Sequence, residues 1–399
     1  MPPKKKGAKD EGPPKKVLLG RATNNVGMGI VGLPNVGKST FFNTLSKLHV
    51  PAENYPFCTK EPNLAKVPVP DQRFKQLVKA FKPKSVVSSV LTVTDIAGLV
   101  AGAAEGKGLG NAFLSHIRAV DAIYHMLRAF DDKNITHVEE SVDPVRDIEI
   151  IENELLAKDI ETCQKGIDPL TRLCSRGHGS KEQQFEYKVL NKVMETLKAG
   201  KPVRDHPWTM KEIPVINDFY FLSAKPVIYL VNLKQKSYVN KRSNYLPKIL
   251  EAVKAKDPGA QVIPFSAEYE MNYIDAELSG GDALNTFIKE NNNMKSVLPQ
   301  IIKAGYKTLQ LINYFTCGAD EVRAWAIREG TLAPAAAGVI HTDFEKGFIC
   351  ADVYGFKDWK KQGADETSEK KVKAAGQCRM QGKNYEVQSG DIMFFKFNN

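Results

Sequence analysis

A chain of 399 residues is longer than one ordinary core supports, so two or three domains are expected. Its hydrophobic share of 42% and charged share of 26% are those of a globular protein, and no apolar run approaches the roughly 18 residues of a membrane span. Of the formal charge of +10, +4 lies in the first sixteen residues, and the remaining +6 suits an RNA or an acidic partner and is diagnostic of neither; no membrane and no DNA partner is expected.

The opening MPPKKKGAKDEGPPKK holds six lysines against two acids in a Pro- and Gly-rich stretch that cannot bury apolar surface. Residues 1–23 are therefore expected to form a disordered basic tail, and no hydrophobic segment follows to make a secretory signal. Met28 to Leu33 is an apolar run entering a glycine-rich turn, and STFFNTLSKL reads as a helix behind it. Between them GLPNVGKST fits GxxxxGK[ST], a phosphate-binding loop in its strand–turn–helix setting. Backbone N–H groups from Asn35, Val36, Gly37, Lys38, Ser39 and Thr40 would cradle a nucleotide's phosphates, aided by the helix N-terminus. Lys38 would reach the β- and γ-phosphates, and the Ser39 hydroxyl would ligate Mg²⁺.

Thr59, in NYPFCTKEP, lies where a first switch loop would add a second hydroxyl to that metal. The β-branched run Val86 to Thr94 ends in Asp95, a carboxylate placed to hold the magnesium through water, and Gly98 would offer its N–H to the γ-phosphate. The next position usually carries the polar residue that orients attacking water. Here it is Leu99, whose side chain can neither donate nor accept a hydrogen bond. The loop GAAEGKGLG, residues 102–110, carries four glycines and suits a segment ordered only around a bound γ-phosphate. Just beyond it His116, in LSHIR, is a side chain able to position or deprotonate water.

Ala122 to Leu127, Pro226 to Val231 and Val262 to Phe265 continue the series of strands separated by helical stretches, which reads as an α/β fold with a mostly parallel sheet. Residues 135–205 depart from it. Val145, Ile148, Ile151, Leu155 and Leu156 recur at helical spacing over 144–164, a basic turn RLCSRGHGSK follows, and a second helix runs from Gln183 to Leu197. That pattern predicts an α-helical hairpin inserted into a domain formed by 24–134 and 206–290. At the strand end Val231-Asn232-Leu233-Lys234-Gln235, guanine-specific relatives carry NKxD. An amide replaces the acid here, which forfeits most of the guanine preference and admits adenine, held by the backbone around Asn232 and the apolar side of Leu233. Residues 291–306 read as a connector. From 307 to 397 short runs such as VRAWAIREGT, GVIHTD, FEKGFICADVY and IMFFKF read as strands and turns of a small α+β domain. The six cysteines are scattered without CxxC pairing, so free thiols in a reducing compartment, by default the cytosol, are expected.

GLPNVGKST, NYPFCT, DIAGLVAGAAEGKGLGNAFLSHIR, VNL, IPFSAE and the closing DIMFFKF together resemble the Obg-like ATPases, the YchF subfamily of translation-factor-related P-loop proteins. The resemblance spans Asn24 to Phe397. It implies a G domain with a helical coiled-coil insertion and a C-terminal ubiquitin-like (β-grasp) TGS domain. It also implies hydrolysis of ATP in preference to GTP, a ribosome-linked regulatory role, and a cytoplasmic location with nuclear or nucleolar presence left open. His116 is implied as catalytic beside Lys38 and Gly98, and Ser266 of IPFSAE as a nucleotide-binding position. The chain departs from the family pattern at Gln235, where glutamate is common, and in its longer, more basic tail. Asn35 offers its side chain to a monovalent cation such as K⁺, which would supply charge where an arginine finger is missing. The expected reading is a slow Mg²⁺-dependent ATPase switch with the large ribosomal subunit or translation factors as partners. RNA contact is expected through the hairpin turn (Arg172, Arg176, His178, Lys181) and the TGS domain. The alternatives are a non-catalytic scaffold pinned by nucleotide, a GTP-preferring enzyme, or a P-loop metabolic kinase, for which no arginine-rich lid is present.

Overall fold

The computed structural model describes residues 19–21, 23–48, 63–96, 109–132, 134–135, 137, 139–175, 179–365 and 367–398. Thr59, Cys58, Gly98, Leu99, Arg176 and His178, and the glycine-rich loop up to Gly108, lie outside the described residues. The chain forms two compact units. One holds 19–72 and 87–311, the other 73–86 and 312–399.

In chain order the elements begin with β1 (Gly27–Val31), α1 (Lys38–Lys47), β2 (Leu64–Pro68), α2 (Gln72–Phe81), β3 (Ser85–Val87), β4 (Val90–Asp95), α3 (Leu109–Ala119) and β5 (Ala122–Arg128). Then come α4 (Pro144–Ser175), α5 (Lys181–Lys198), α6 (Glu212–Asp218), β6 (Val227–Asn232), α7 (Gln235–Val239), α8 (Leu246–Lys256), β7 (Gln261–Phe265), α9 (Ala267–Ser279), α10 (Ala283–Glu290) and α11 (Leu298–Thr308). The first unit is organised by a six-stranded sheet in the order β2-β4-β1-β5-β6-β7. Every neighbour pair is parallel except the antiparallel edge β2–β4. β5 is buried at all seven positions, as a central parallel strand covered on both faces must be. The segment expected as a connector in fact builds this unit, because α11 packs on the sheet. The Tyr124 hydroxyl donates to the Ile301 carbonyl at 2.9 Å, and a Cβ at Gly305 would lie 2.0 Å from that hydroxyl oxygen, so only glycine fits.

α4 and α5 form the inserted hairpin, joined through Cys163, Ile167 and Leu170 against Val189, Leu190 and Val193. α4 runs to Ser175, well past the expected stop at 164, and passes Pro169 without ending. Its 32 residues span about 48 Å at 1.5 Å per residue. The hairpin is pinned at its root. The Asp159 carboxylate accepts from Leu222 N, Ser223 N and Ser223 Oγ at 2.8, 2.8 and 2.6 Å, while burial pushes it up to about 6. Arg204 reaches Glu152 on α4 at 3.6 Å and Asp257 at 3.3 Å.

The second unit contains β8 (Leu311–Cys317), β9 (Glu321–Arg328), α12 (Ala333–Ile340), α13 (Thr342–Lys346), β10 (Phe348–Gly355), α14 (Phe356–Lys361), α15 (Ser368–Ala374), β11 (Arg379–Gln381) and β12 (Asp391–Phe397). Its mixed sheet runs β11-β10-β12-β8-β9-β3. Two expectations change here. Val86 to Thr94 is two strands belonging to different sheets, so 24–134 is not a continuous piece of the nucleotide domain. α2 supplies Phe74 and Leu77 to the C-terminal core, with Phe74 stacked on Phe315 at 6.3 Å. GVIHTD, expected as a strand and turn, is helical, falling in α12 and the start of α13. Among the described residues no helix is long and apolar enough to cross a membrane, and the five described cysteines are free thiols.

Candidate nucleotide site

β1 delivers the chain to the turn at 32–37, whose shape is dictated by close approaches. A Cβ at Gly32 would stand 2.6 Å from the Met126 carbonyl oxygen on β5. Gly37 has φ of +101°, and a Cβ there would sit 2.4 Å from Asn232 Nδ2, so backbone and space both demand glycine. Asn35 takes the left-handed conformation at φ +61°, which asparagine tolerates. α1 begins at Lys38 without a side-chain cap and without an acid in its first turn. Its N-terminal amides and the positive end of the helix dipole thus favour an anion.

Lys38 is only 8% exposed, and its Nζ donates to the carbonyls of Gly32 and Leu33 at 3.0 and 2.7 Å. Burial lowers its pKa from the ordinary 10.5 to about 8, against the opposing pull of Asp95. Asp95 closes β4, in register with Ile30 of β1. Its carboxyl is pushed above the usual carboxylate range by burial, opposed by Lys38 and by the Ser39 hydroxyl that donates to it. Asp95 Oδ1 is buried with no hydrogen-bond partner among the described residues. An orphaned carboxylate oxygen beside a serine hydroxyl is a donor set that fits a hard cation such as Mg²⁺. Among the described residues no cluster of three His, Cys, Asp or Glu side chains could hold a metal alone, so phosphate and water would complete the shell.

Beside the phosphate loop lies a cavity of about 560 Å³, lined by Lys38 and Ser39 at one end and by Phe130, Leu233, Lys234 and Met271 further along. Asn232 holds its two sides together. Its Nδ2 donates to Val36 O at 2.9 Å and its Oδ1 accepts from Ala267 N at 2.9 Å, so the side chain clamps the loop to the start of α9. Leu233 is buried and donates its N–H to Phe265 O at 2.8 Å. Gln235 turns its amide to Asn291 and Asn272, at 3.1 and 2.9 Å. Ser266 is fully buried, and its hydroxyl caps α9 by accepting from Tyr269 N at 3.3 Å; Val36 is buried as well. These two positions shape the site from behind.

Several lining residues escaped the sequence reading. Asp132 pairs with Lys234 at 2.6 Å across the cavity. Arg128, almost wholly buried, donates to the carbonyls of Phe130, Asp132 and Ile135 at 3.2, 3.4 and 3.0 Å and so shapes that wall. The signal available was positional: ligands of open parallel sheets bind beyond the carboxyl ends of the strands, and 129–135 follows β5.

His116 is exposed on the last turn of α3. It lines a second cavity, of about 510 Å³, together with Asp95, Thr94, Asn25 and Arg21. Asp95 is thus the link: it meets Lys38 and Ser39 on one side and shares a cavity with His116 on the other.

Comparison with known proteins extends this geometry. Residues 27–158 match the family described as 50S ribosome-binding GTPase, and residues 311–398 match the YchF-GTPase_C family, described as a protein of unknown function (DUF933). Obg-like ATPase 1 of Homo sapiens is 54% identical over 400 residues, covering 100% of this chain and 98% of the relative. Obg-like ATPase 1 of Oryza sativa subsp. japonica is 52% identical over 398 residues, with the same coverage. The solved structure of the Schizosaccharomyces pombe YchF GTPase superposes with a TM-score of 0.86 at 47% identity, covering 96% of this chain and 100% of that one.

Proposed function

The chain belongs to the Obg-like ATPase (YchF) family of nucleotide-hydrolysing P-loop proteins, and from that premise we propose that it is a Mg²⁺-dependent ATPase, preferring ATP to GTP, that acts as a ribosome-linked regulatory switch. The observation that carries the adenine preference is the state of the acids around the larger cavity. Guanine needs a carboxylate to accept from its N1 and N2. Among the described residues the carboxylates lining the cavity are Asp132 and Glu268, which accept from Lys234 Nζ and from Gln235 N, and position 235 carries an amide. The rival GTP reading requires Glu268 to turn to the base.

In this mechanism the amides at the start of α1 and Lys38 hold the β- and γ-phosphates. Ser39 and Asp95, with Thr59, would hold Mg²⁺, which when bound would supply positive charge against the phosphates. The Asn35 side chain would hold a K⁺ ion, which would supply further positive charge beside the phosphates. The Leu99 side chain has no polar atom to offer water, so His116 orients the attacking water and takes its proton, and the Gly98 N–H steadies the γ-phosphate. Without an arginine finger, worth about 10³–10⁵ in rate, intrinsic turnover is slow. The five free thiols among the described residues support a cytosolic location. Arg172 and Lys181 at the hairpin end and the C-terminal unit are proposed as the contacts with the large ribosomal subunit or with translation factors, which should weaken steeply with salt.

Phosphate release from ATP and GTP, with and without ribosomes, tests the reading. ATP should be the better substrate and ribosomes should raise its turnover; equal use of both nucleotides overturns the base assignment. His116→Ala should bind ATP as wild type does and lose about 10²-fold or more of its hydrolysis. Unchanged turnover removes His116 from the chemistry.

A further inference from the structure

We propose that Arg21, acting with Asp121 and Lys225, is a positioning residue that fixes the C-terminal end of α3 and thereby sets where His116 stands relative to Asp95. The proposal rests on the reading of His116 as the residue that handles water.

A helix ends with carbonyls that have no partner within the helix. At the end of α3 two cations supply partners. Arg21 Nη2 donates to Ala119 O at 2.6 Å, and Lys225 Nζ donates to Val120 O and, at 3.4 Å, to Arg118 O. Both charges also sit at the negative end of the helix dipole. Arg21 is itself held by a two-pronged ion pair, Nε to Asp121 Oδ1 and Nη2 to Asp121 Oδ2, both at 2.7 Å. Asp121 in turn is tied to β1, its Oδ2 accepting from Gly27 N and its N–H donating to Gly27 O, each at 2.9 Å. The helix end is therefore keyed to the strand that leads into the phosphate loop. Close packing adds to this: a Cβ at Gly29 would lie 2.8 Å from Val120 Cγ2 and 2.7 Å from Ile96 Cδ1.

His116 stands three and four residues before Ala119 and Val120, on the same helical face and within one turn of the held carbonyls. Arg21 and His116 line one cavity with Asp95. Lys225 is 9% exposed, and burial lowers its pKa from 10.5 to about 8, so an ammonium has been taken out of water to reach these carbonyls. Arg21 comes from the far end of the chain, 100 residues from Asp121, with Gly20 N donating to Asn217 Oδ1 at 2.8 Å beside it. A contact of such sequence separation, aimed at one helix end, fits a role in placing what that helix carries.

The test measures ATP affinity and single-turnover hydrolysis for Arg21→Ala, with Asp121→Asn as an independent break of the same clasp. Misplacing a reacting group by about 1 Å can cost about 10²-fold. Hydrolysis should therefore fall about 10- to 100-fold while ATP affinity stays within about twofold. Arg21→Lys keeps the charge and loses the fork, so it should recover part of the rate. In a His116→Ala background the Arg21→Ala change should cost less than about twofold, because the group it positions is gone. Full turnover by Arg21→Ala, in a protein that loses turnover with His116→Ala, overturns the proposal. So does an Arg21→Ala loss that persists undiminished in the His116→Ala background. A His116→Ala protein with wild-type turnover removes the premise instead, before Arg21 is changed.

Discussion

Replacing Asn232 with alanine separates two roles that a strand-end asparagine can have. If it only contacts the base, the nucleotide-free protein should not notice the change. The geometry gives it a second duty, because both ends of the side chain bond to backbone: Val36 O at 2.9 Å and Ala267 N at 2.9 Å. The residue is 4% exposed, so truncation strands a buried carbonyl and a buried amide. An unsatisfied buried partner costs about 1–3 kcal/mol, which makes the expected loss about 2–6 kcal/mol for the two. The loss should be local to the phosphate loop and the start of α9, since Asn232 joins these two segments. Because the chain has two units, global unfolding is a poor measure. Amide hydrogen exchange in β1, in the first turn of α1 and at Ala267 is the appropriate assay. Protection there should drop by about 30- to 10⁴-fold without nucleotide, with β8 and β9 unchanged, since each 1.4 kcal/mol is a factor of ten. Wild-type protection in β1 and at Ala267, with ATP affinity lost, would refute the clamp and leave only base contact.

The buried lysine predicts a pH dependence. The folded, nucleotide-free chain sheds the Lys38 proton near pH 8, whereas the unfolded chain keeps it to about 10.5. The unfolded state therefore binds more protons across that window, and stability rises with pH through it. Relative to Lys38→Met, the wild type should gain on the order of 3 kcal/mol between pH 7 and 10.5 in the opening free energy of the first unit, followed by amide hydrogen exchange in β1 and β5; a flat difference contradicts the assignment. The C-terminal unit should likewise depend on α2. Leu77→Ala should cost that unit about 2–5 kcal/mol, and a fragment starting at Ile312 should lack the near-ultraviolet circular dichroism of packed Trp325 and Trp359. A fragment with a native signal would show that α2 and β3 are dispensable.

The parts of this molecule that were legible in its sequence are those whose physics is local. The phosphate loop was readable because its ligand groups are consecutive amides, and its glycines answer to a turn that a short window contains. The hairpin was readable in kind, but α4 was read too short. Local rules stop a helix near Pro169, whereas the apolar positions Ile167 and Leu170 continue against Val189 and Val193 of α5, and that burial outweighs the lost hydrogen bond. The run from Val86 to Thr94 misled for a related reason. Both halves have strand composition, and which sheet each joins depends on distant partners, such as the carbonyl of Asp320 that accepts from Ser85 N. Alanine-rich LAPAAAG outweighed the β-branched pair in GVIHTD, since proline at the start of α12 and the alanines behind it favour a helix. The site divides along the same line. Lys38 and Ser39 stand beside Asp95, a neighbourhood that two local motifs mark, while the clamp role of Asn232 is hidden in sequence because Val36 lies 196 residues away. Phe130, Asp132 and Met271 belong to no motif, since a cavity wall made from the ends of several strands has no single stretch of sequence to mark it. Once the sheet order is known, the carboxyl-end rule selects 129–135, 232–235 and 266–271 together. The half of the site proposed to recognise the base is thus a property of topology, and the half proposed to recognise phosphate a property of one loop.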